Sequence, residues 1–372
     1  MGSVKTIIQY RRQAPSDRAH RSVSNPSPLT PNPLFRLLSY LLPLARLCRL
    51  ARPRTPYLLP LFLLSSCEYK ELCYNHNHYG DVNIRFNWEK LPDTRVGGMT
   101  VLFYNLDAPS AEPIRYDLAG MDGGLVRLLP GSYRAVAYNY DTEAILYRGM
   151  DSYLSLEAYT RLSSIEEGTQ MSRSGMPRAQ SAEDEQVILE PDPLYAAASE
   201  PFTIEANGQC DVVLTPESRV HELTITIINV PNLQYSSQFG GAISGLSPSV
   251  SVASGQLGDG HVTEAFTAAV VGETTLEMHV RIFGYCPHAG EGELWPHILT
   301  VYAILADGTK WYYSIDVSEL MHRQGTDPDD PTAEPSITID GLPVPKPIVN
   351  GSGFQPTIDG WQGIEIEVKM DD

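Results

Sequence analysis

From residue 81 to 88 the chain alternates. Val82, Ile84, Phe86 and Trp88 are apolar, and Asn83, Arg85 and Asn87 between them are polar. That is the period of a strand with one buried face. Residues 99–104 form a second apolar run after the turn formers Pro92-Asp93 and Gly97-Gly98, and residues 125–128 a third after Gly123-Gly124. Leu129-Pro130-Gly131-Ser132-Tyr133 makes a tight turn into a strand where Tyr133, Ala135 and Ala137 alternate with Arg134, Val136 and Tyr138. Short strands are also expected at 202–205, 211–214 and 336–339, and longer ones at 220–230, 273–283, 298–305, 310–317 and 364–370. Ala306-Asp307-Gly308-Thr309 joins two of these with an Asp-Gly turn, so 299–317 reads as a hairpin. No helical period of comparable strength is present. Even spacing of short strands with Gly and Pro turns predicts an all-β chain built from β-sandwiches.

Breaks in the pattern suggest the divisions. Residues 163–186 are poor in large apolar side chains and rich in Ser, Glu, Gly and Gln, which predicts a mobile loop or linker with Arg173 and Arg178 exposed to a trypsin-like cut. Glu190-Pro191-Asp192-Pro193 then opens a second domain. The expected organisation is a tether over 67–80, an N-terminal sandwich over 81–189 and a C-terminal sandwich over 190–372. The last segment holds Pro343, Pro345, Pro347 and Pro356, a stiff extended arm that ends in the alternating residues Ile364, Ile366, Val368 and Met370. Such an arm completes its own sheet or adds a strand to a neighbour. In the second case backbone hydrogen bonds supply affinity, and pockets for the alternate side chains supply specificity.

Residues 1–66 follow a different rule. An apolar run from Tyr57 to Leu64 lies behind arginines and ends in Ser65-Ser66-Cys67. A short apolar segment after basic residues and before small ones reads as a secretory leader. With cysteine after the cut it resembles the lipobox of bacterial lipoproteins, in which Cys67 is acylated and becomes the mature N-terminus. Pro43, Pro53, Pro56 and Pro60, together with Arg46, Arg49, Arg52 and Arg54, interrupt the run too often for a membrane helix. Met1 lies farther upstream than an ordinary leader of about 15 to 30 residues allows. The first 33 residues therefore read as untranslated sequence, although no methionine follows before Met99.

Charge separates at the same cysteine. Ten of the 27 Lys and Arg residues but one of the 45 acids precede it, leaving 17 basic against 44 acidic residues and a net charge of −27. So acidic a chain repels nucleic acid and anionic headgroups, which disfavours a nucleic-acid or phosphate-binding role. If Cys67 is acylated, Cys73, Cys210 and Cys286 remain, enough for one internal disulfide at most; the fold rests on packed cores rather than a disulfide framework.

Candidate chemistry is sparse. There is no Gly-x-Ser-x-Gly elbow, Walker loop or dinucleotide fingerprint, and His221-Glu222 is not followed by the second histidine of a zinc-protease motif. Cys73, His76, His78 and Asp81 are of types that zinc accepts, as are Cys286, His288, Glu291, Glu293 and His297, but neither group has the spacing of a complete site. Asp327, Asp329 and Asp330 are separated by Pro328 and lack EF-hand spacing. The expectation is no catalytic residue, no metal and no cofactor. Twenty tyrosines and four tryptophans leave room for a sugar-stacking surface if Trp295, Trp311 or Trp361 faces solvent.

Several segments together carry a family resemblance: the lipobox, His76-Asn77-His78-Tyr79-Gly80-Asp81-Val82, Leu129-Pro130-Gly131-Ser132-Tyr133, Ala306-Asp307-Gly308-Thr309-Lys310-Trp311-Tyr312-Tyr313 and residues 341–349. With these the chain resembles a group of Bacteroides-type lipoproteins of unassigned function, similar in turn to fimbrillin-like proteins and fimbrial anchoring subunits. The resemblance implies two transthyretin-like or immunoglobulin-like β-sandwiches after a lipoprotein signal. It also implies a non-enzymatic lipoprotein held in the outer membrane through Cys67, facing the cell surface as anchor or cap of a fimbria-like adhesive assembly. Its partners would be fimbrillin-like subunits and a host or microbial surface ligand. Stalk subunits of that type are cut at an arginine ahead of the first strand, whereas here residues 67–80 hold only Lys70, which favours an anchor or cap. A glycan-binding surface lipoprotein is the second expectation, and a hydrolase with an acidic pair brought together by the fold the third.

Overall fold

The computed structural model describes residues 78–171, 175–179, 182–285, 295–324, 335–347 and 360–366. The leader, Cys67 and most of the 67–80 tether lie outside them. In chain order the first strands are β1 (Gly80–Phe86), β2 (Gly98–Asn105), β3 (Ile114–Ala119), β4 (Gly123–Leu128), β5 (Gly131–Asn139), β6 (Ile145–Arg148) and β7 (Glu157–Thr160). Helix α1 (Ile165–Thr169) follows, then β8 (Gln186–Ile188), β9 (Tyr195–Ala198), β10 (Phe202–Ile204), β11 (Gln209–Leu214) and β12 (Glu217–Ser218). Next come β13 (His221–Ile228), β14 (Ser236–Leu246), β15 (Ser249–Ser251), β16 (Val262–Thr267), β17 (Ala269–Val271) and β18 (Thr275–Ile282). The last elements are β19 (Ile298–Leu305), β20 (Lys310–Asp316), helix α2 (Ser318–Gln324), β21 (Ser336–Asp340) and β22 (Trp361–Ile366).

The all-β expectation holds, and the strands make two sandwiches. In the first, β1 is the centre of the sheet β11-β1-β4, and its Val82, Ile84 and Phe86 pack onto Val101, Phe103, Ala135 and Ala137 of the sheet β12-β9-β5-β2-β3. In the second, β17-β18-β13-β21 and the six-stranded β22-β20-β19-β14-β16-β8 enclose a core that includes Leu223, Ile225, Val280, Val301 and Ile315. The apolar positions of β1 and β13 are those the alternation marks, with Val82, Ile84, Leu223, Ile225 and Ile227 at 0 % exposure. The Asp-Gly hairpin forms as expected between β19 and β20, with Gly308 at φ +83° and Gly308 N–H donating to Leu305 O.

Sheet membership departs from a division at residue 190. Strands β9 to β12 follow that point but pair within the first sandwich, β11 running parallel to β1 and β9 antiparallel to β5, while β8 precedes it and pairs with β16 of the second. The reason lies in burial: Leu194, Ala196 and Ala197 sink into the first half, and small alanines give a strand no visible alternation. A third sheet, β15-β7-β6, takes strands from both halves. Beneath it Leu102, Tyr104 and Tyr138 meet Val250, Val252 and Phe283, so one apolar cluster bonds the two sandwiches.

Residues 163–186 also differ from the loop that composition predicts. Ser164 caps α1 by accepting from Glu167 N–H, and Ile165, Met171 and Met176 are buried on Ala242, Ala265, Tyr302 and Ile304. Gly168 is required there, since a Cβ would stand 2.2 Å from Ala265 O. The described part of this strap is pinned by Glu185, which accepts from Gly245 N–H at 3.2 Å and Thr263 Oγ1 at 2.9 Å, and by Tyr302, whose hydroxyl donates to Pro177 O at 2.7 Å. Arg178 is half-buried rather than exposed, donating to the carbonyls of Glu183 and Glu185. Arg173 lies outside the described residues.

Candidate functional site

The C-terminal strand is where the fold is built by addition. Among the described residues β22 pairs only with β20, in parallel, at the edge of the six-stranded sheet. It starts earlier than the sequence suggests, at Trp361, because the residues on both of its faces find partners. In register, Lys310 stands beside Trp361, Tyr312 beside Gly363, Tyr313 beside Ile364 and Ile315 beside Ile366. Ile364 and Ile366 pack on the core between the sheets. Trp361 faces the other way and joins the cluster under the strap, edge-on to Tyr302 at 5.5 Å and 74°. Gly363 has no side chain, and the Tyr312 ring lies across it: a Cβ there would be 2.4 Å from the phenol oxygen. An isolated glycine inside an alternating strand is the sequence signal for such a close approach, and the alternation reading passed over it. Val368 and Met370, the other two expected positions, lie outside the described residues, as does Cys67.

The arm that leads to β22 is rooted at a defined place. β21 runs parallel to β13, Gly341 N–H donates to Ile228 O, and Asn232 Nδ2 donates to Val344 O at 2.7 Å. The arm therefore leaves from the end of β13 opposite the one that receives the chain from the first sandwich. β1 shows the reverse arrangement. It is parallel to β11, whose far end leads on to β13, so Gly80 lies at the end of the first sandwich turned away from the second.

Three polar clusters offer chemistry elsewhere. Glu264 on β16 is at 0 % exposure with both carboxyl oxygens lacking a partner among the described residues; burial first, and then the charge of Glu190, push its pKa well above 4.5, with Arg281 opposing. On the outer face of β13 and β18, His279 stands between two carboxylates, 2.6 Å from Glu277 and 2.9 Å from Glu222, which raise its pKa, Glu277 most. At the start of β19, His297 is fully buried, 3.2 Å from Ser244 O and 5.0 Å in ring separation from His322; burial lowers its pKa to about 4, helped by the charges of His322 and His261.

The expected ligand groups are divided by what is described. Cys73, His76, Cys286, His288, Glu291, Glu293 and the three aspartates 327, 329 and 330 lie outside. Of the rest, His78 is 3.2 Å from Asn207, and Asp81 pairs with Arg127 at 3.0 Å. Among the described residues no group of three or more His, Cys, Asp or Glu converges to hold a metal ion. Cys210 is a free thiol whose pKa burial raises, with Asp211 adding to it. Trp295 is 42 % exposed and stacks on His261 at 3.5 Å, whereas Trp311 and Trp361 are half-buried in packing.

Comparison with known proteins places this architecture. Over 341 residues the chain is 28 % identical to the provisionally assigned fimbrium anchoring subunit Fim4B of Bacteroides ovatus, covering 83 % of this chain and 95 % of that one. Among solved structures it is similar to a provisionally assigned adhesin from Bacteroides ovatus, with a TM-score of 0.53 at 25 % identity, covering 73 % of this chain and 94 % of that one. The fimbrial anchor protein Mfa2 from Porphyromonas gingivalis aligns with a TM-score of 0.45 at 10 % identity, over 70 % and 90 % of the two chains. The family model described as "Domain of unknown function (DUF5119)" matches residues 66–267, more than half of the sequence, and the chain belongs to that family.

Proposed function

We propose that this protein is a non-enzymatic surface subunit that anchors or caps a fimbria-like adhesive assembly. The observation that carries the proposal is the similarity to Fim4B, which covers 95 % of that subunit and 83 % of this chain, more than either sandwich alone could supply. The fold supports it in a specific way. The chain enters through β1 at one end, and the Pro-rich arm leaves at the opposite end of the second sandwich. A lipid on Cys67 would hold the entry end at the outer membrane, with more than one acyl chain needed for stable retention. The arm end is then left facing the cell exterior, where fimbrillin-like subunits would meet it.

β22 is the element proposed to meet a partner, through Ile364 and Ile366 and the following Val368 and Met370. Among the described residues it is held by one neighbouring strand and by half-buried side chains, so it can be exchanged at lower cost than a strand inside the sheet.

Two measurements test the reading. Mass spectrometry of the mature N-terminus is expected to find acylated Cys67, and affinity purification from membranes is expected to bring down a polymer of fimbrillin-like subunits, weakened by deletion of residues 364–372. A chain recovered alone, with an unmodified Cys67, would refute it.

A further inference from the structure

The edge that β20 offers is not a generic one. Its Tyr312 projects to the strap side of the sheet and lies across the neighbouring strand at Gly363. A Cβ at that position would come within 2.4 Å of the phenol oxygen, 2.5 Å of Cζ and 2.8 Å of Cε1, so a side chain there and the ring cannot both keep these places. The adjacent positions are equally defined. One residue on and three residues on, aliphatic side chains enter the main core; two residues before, an aromatic ring fits edge-on to Tyr302 beneath the strap. A shift of one residue would send the aliphatic side chains to the strap face and put a side chain under Tyr312.

We propose that Tyr312 and Gly363 form a register key, so that the β20 edge accepts, from this chain or from a partner, only a parallel strand of the pattern aromatic-x-Gly-aliphatic-x-aliphatic. This deepens the proposed function by specifying the partner segment, and it rests on that reading only for the claim that the strand is exchanged in an assembly.

One detail indicates that the strand's own side chain is not the best occupant. The indole N–H of Trp361 is buried without an acceptor among the described residues, so docking β22 strips it of water with no return. A strand with phenylalanine at that place would keep an aromatic ring in the site, with less contact area but without that cost. The pattern therefore predicts a partner strand that competes successfully with β22.

The sign of a single substitution separates the key from ordinary strand packing. In an ordinary strand, replacing an interior glycine by alanine strengthens pairing. Here Gly363→Ala in the full chain is expected to lower the hydrogen-exchange protection of residues 361–366 about tenfold, the low end of the cost of overpacking. The amides of β13 serve as the unchanged reference. In the Tyr312→Ala background the same change is expected to leave protection equal or higher. A rise in protection with Tyr312 present would overturn the key.

The partner side is read in trans. The full chain carrying Gly363→Val, with its own β22 displaced, is titrated with synthetic peptides spanning residues 358–372. The parent peptide is expected to bind, the Gly363→Ala peptide about tenfold more weakly, and the Trp361→Phe peptide at least as tightly as the parent. Equal binding of the first two peptides, or binding by neither, overturns the inference. No other subunit takes part, so this result and the copurification test fail independently.

Discussion

Replacing Glu264 by glutamine is expected to stabilise the fold by an amount that grows with pH. The carboxyl lies on the core face of β16 with Val262 and Phe266, beside Ile243 of β14 and Ile188 of β8. Arg281, the cation that acts on it, is already bound to Glu190, Nε to Oε1 at 2.8 Å. The unfolded chain releases this proton near the ordinary value of 4.5, whereas the folded chain keeps it well above. The folded state therefore binds the extra proton. The stability this gives is complete below 4.5 and is lost as pH rises towards the folded pKa, at about 1.4 kcal/mol for each pH unit. His297 works in the opposite sense. Its pKa falls from 6.5 to about 4 on folding, so its contribution is present above 6.5 and is lost as pH falls towards 4. Between those limits the two slopes offset each other in the parent protein, which hides both. The difference between parent and variant removes His297 from the comparison. Urea unfolding at pH 5, 6, 7 and 8 should show the Glu264→Gln advantage widening by about 1.4 kcal/mol per unit while the folded carboxyl stays protonated. Glu264→Leu should be more stable than the parent by about 1–3 kcal/mol even at pH 5, because it removes two buried oxygens that have no partner among the described residues. Parallel stability curves for parent and Glu264→Gln would refute the reasoning.

Other expectations concern the strap and the sheet surface. Gly168→Ala places a methyl against the Ala265 carbonyl, and lifting α1 should cost about 1–3 kcal/mol and speed proteolysis within 161–188 before global unfolding. Titration of His279 by NMR should give a pKa above 6.5 that drops most on Glu277→Gln and less on Glu222→Gln, following the order of their effects. Since the His279 ring and both carboxylates are substantially exposed, the same substitutions should change stability little.

Strands with one wet face were legible in the sequence. β1, β13 and β18 alternate because their outward positions, among them Arg85, Thr224 and His279, are solvated and their inward positions are core. The Asp-Gly hairpin was legible because its turn chemistry is local. The domain division was not, since β9 and β15 are short and small-residued, and each belongs to a sheet remote in sequence. Of the C-terminal site, Ile364 and Ile366 were found by alternation. Tyr312 and Gly363 were missed and Trp361 was weighed only for sugar stacking, because the three matter as a triad across two strands.

The remaining blind spots share one cause. β14 and β16 show no alternation, and both carry residues that propensity disfavours in strands: Gly240, Gly241 and Gly245 on β14, and Glu264 on β16. Both strands lie in the middle of three layers, with the second sandwich's core on one side and the strap on the other. A Cβ on Gly240 would meet Thr169 Cβ at 2.7 Å on the strap side, and one on Gly241 would meet Phe266 at 2.4 Å on the core side. The glycines are thus spaces left for the layers that cover them, and a pattern rule that assumes one solvated face reads them as a loop. The strap was misread for the complementary reason. Its buried contacts fall on Ile165, Met171 and Met176, too widely spaced among polar residues to show a period, although they cluster with Ala242 and Ala265 of the sheet below and Met171 reaches the gap at Gly240. Covering that sheet from outside is what gives Trp361 an apolar seat, so the segment that composition assigns to a linker is part of the site that receives the C-terminal strand.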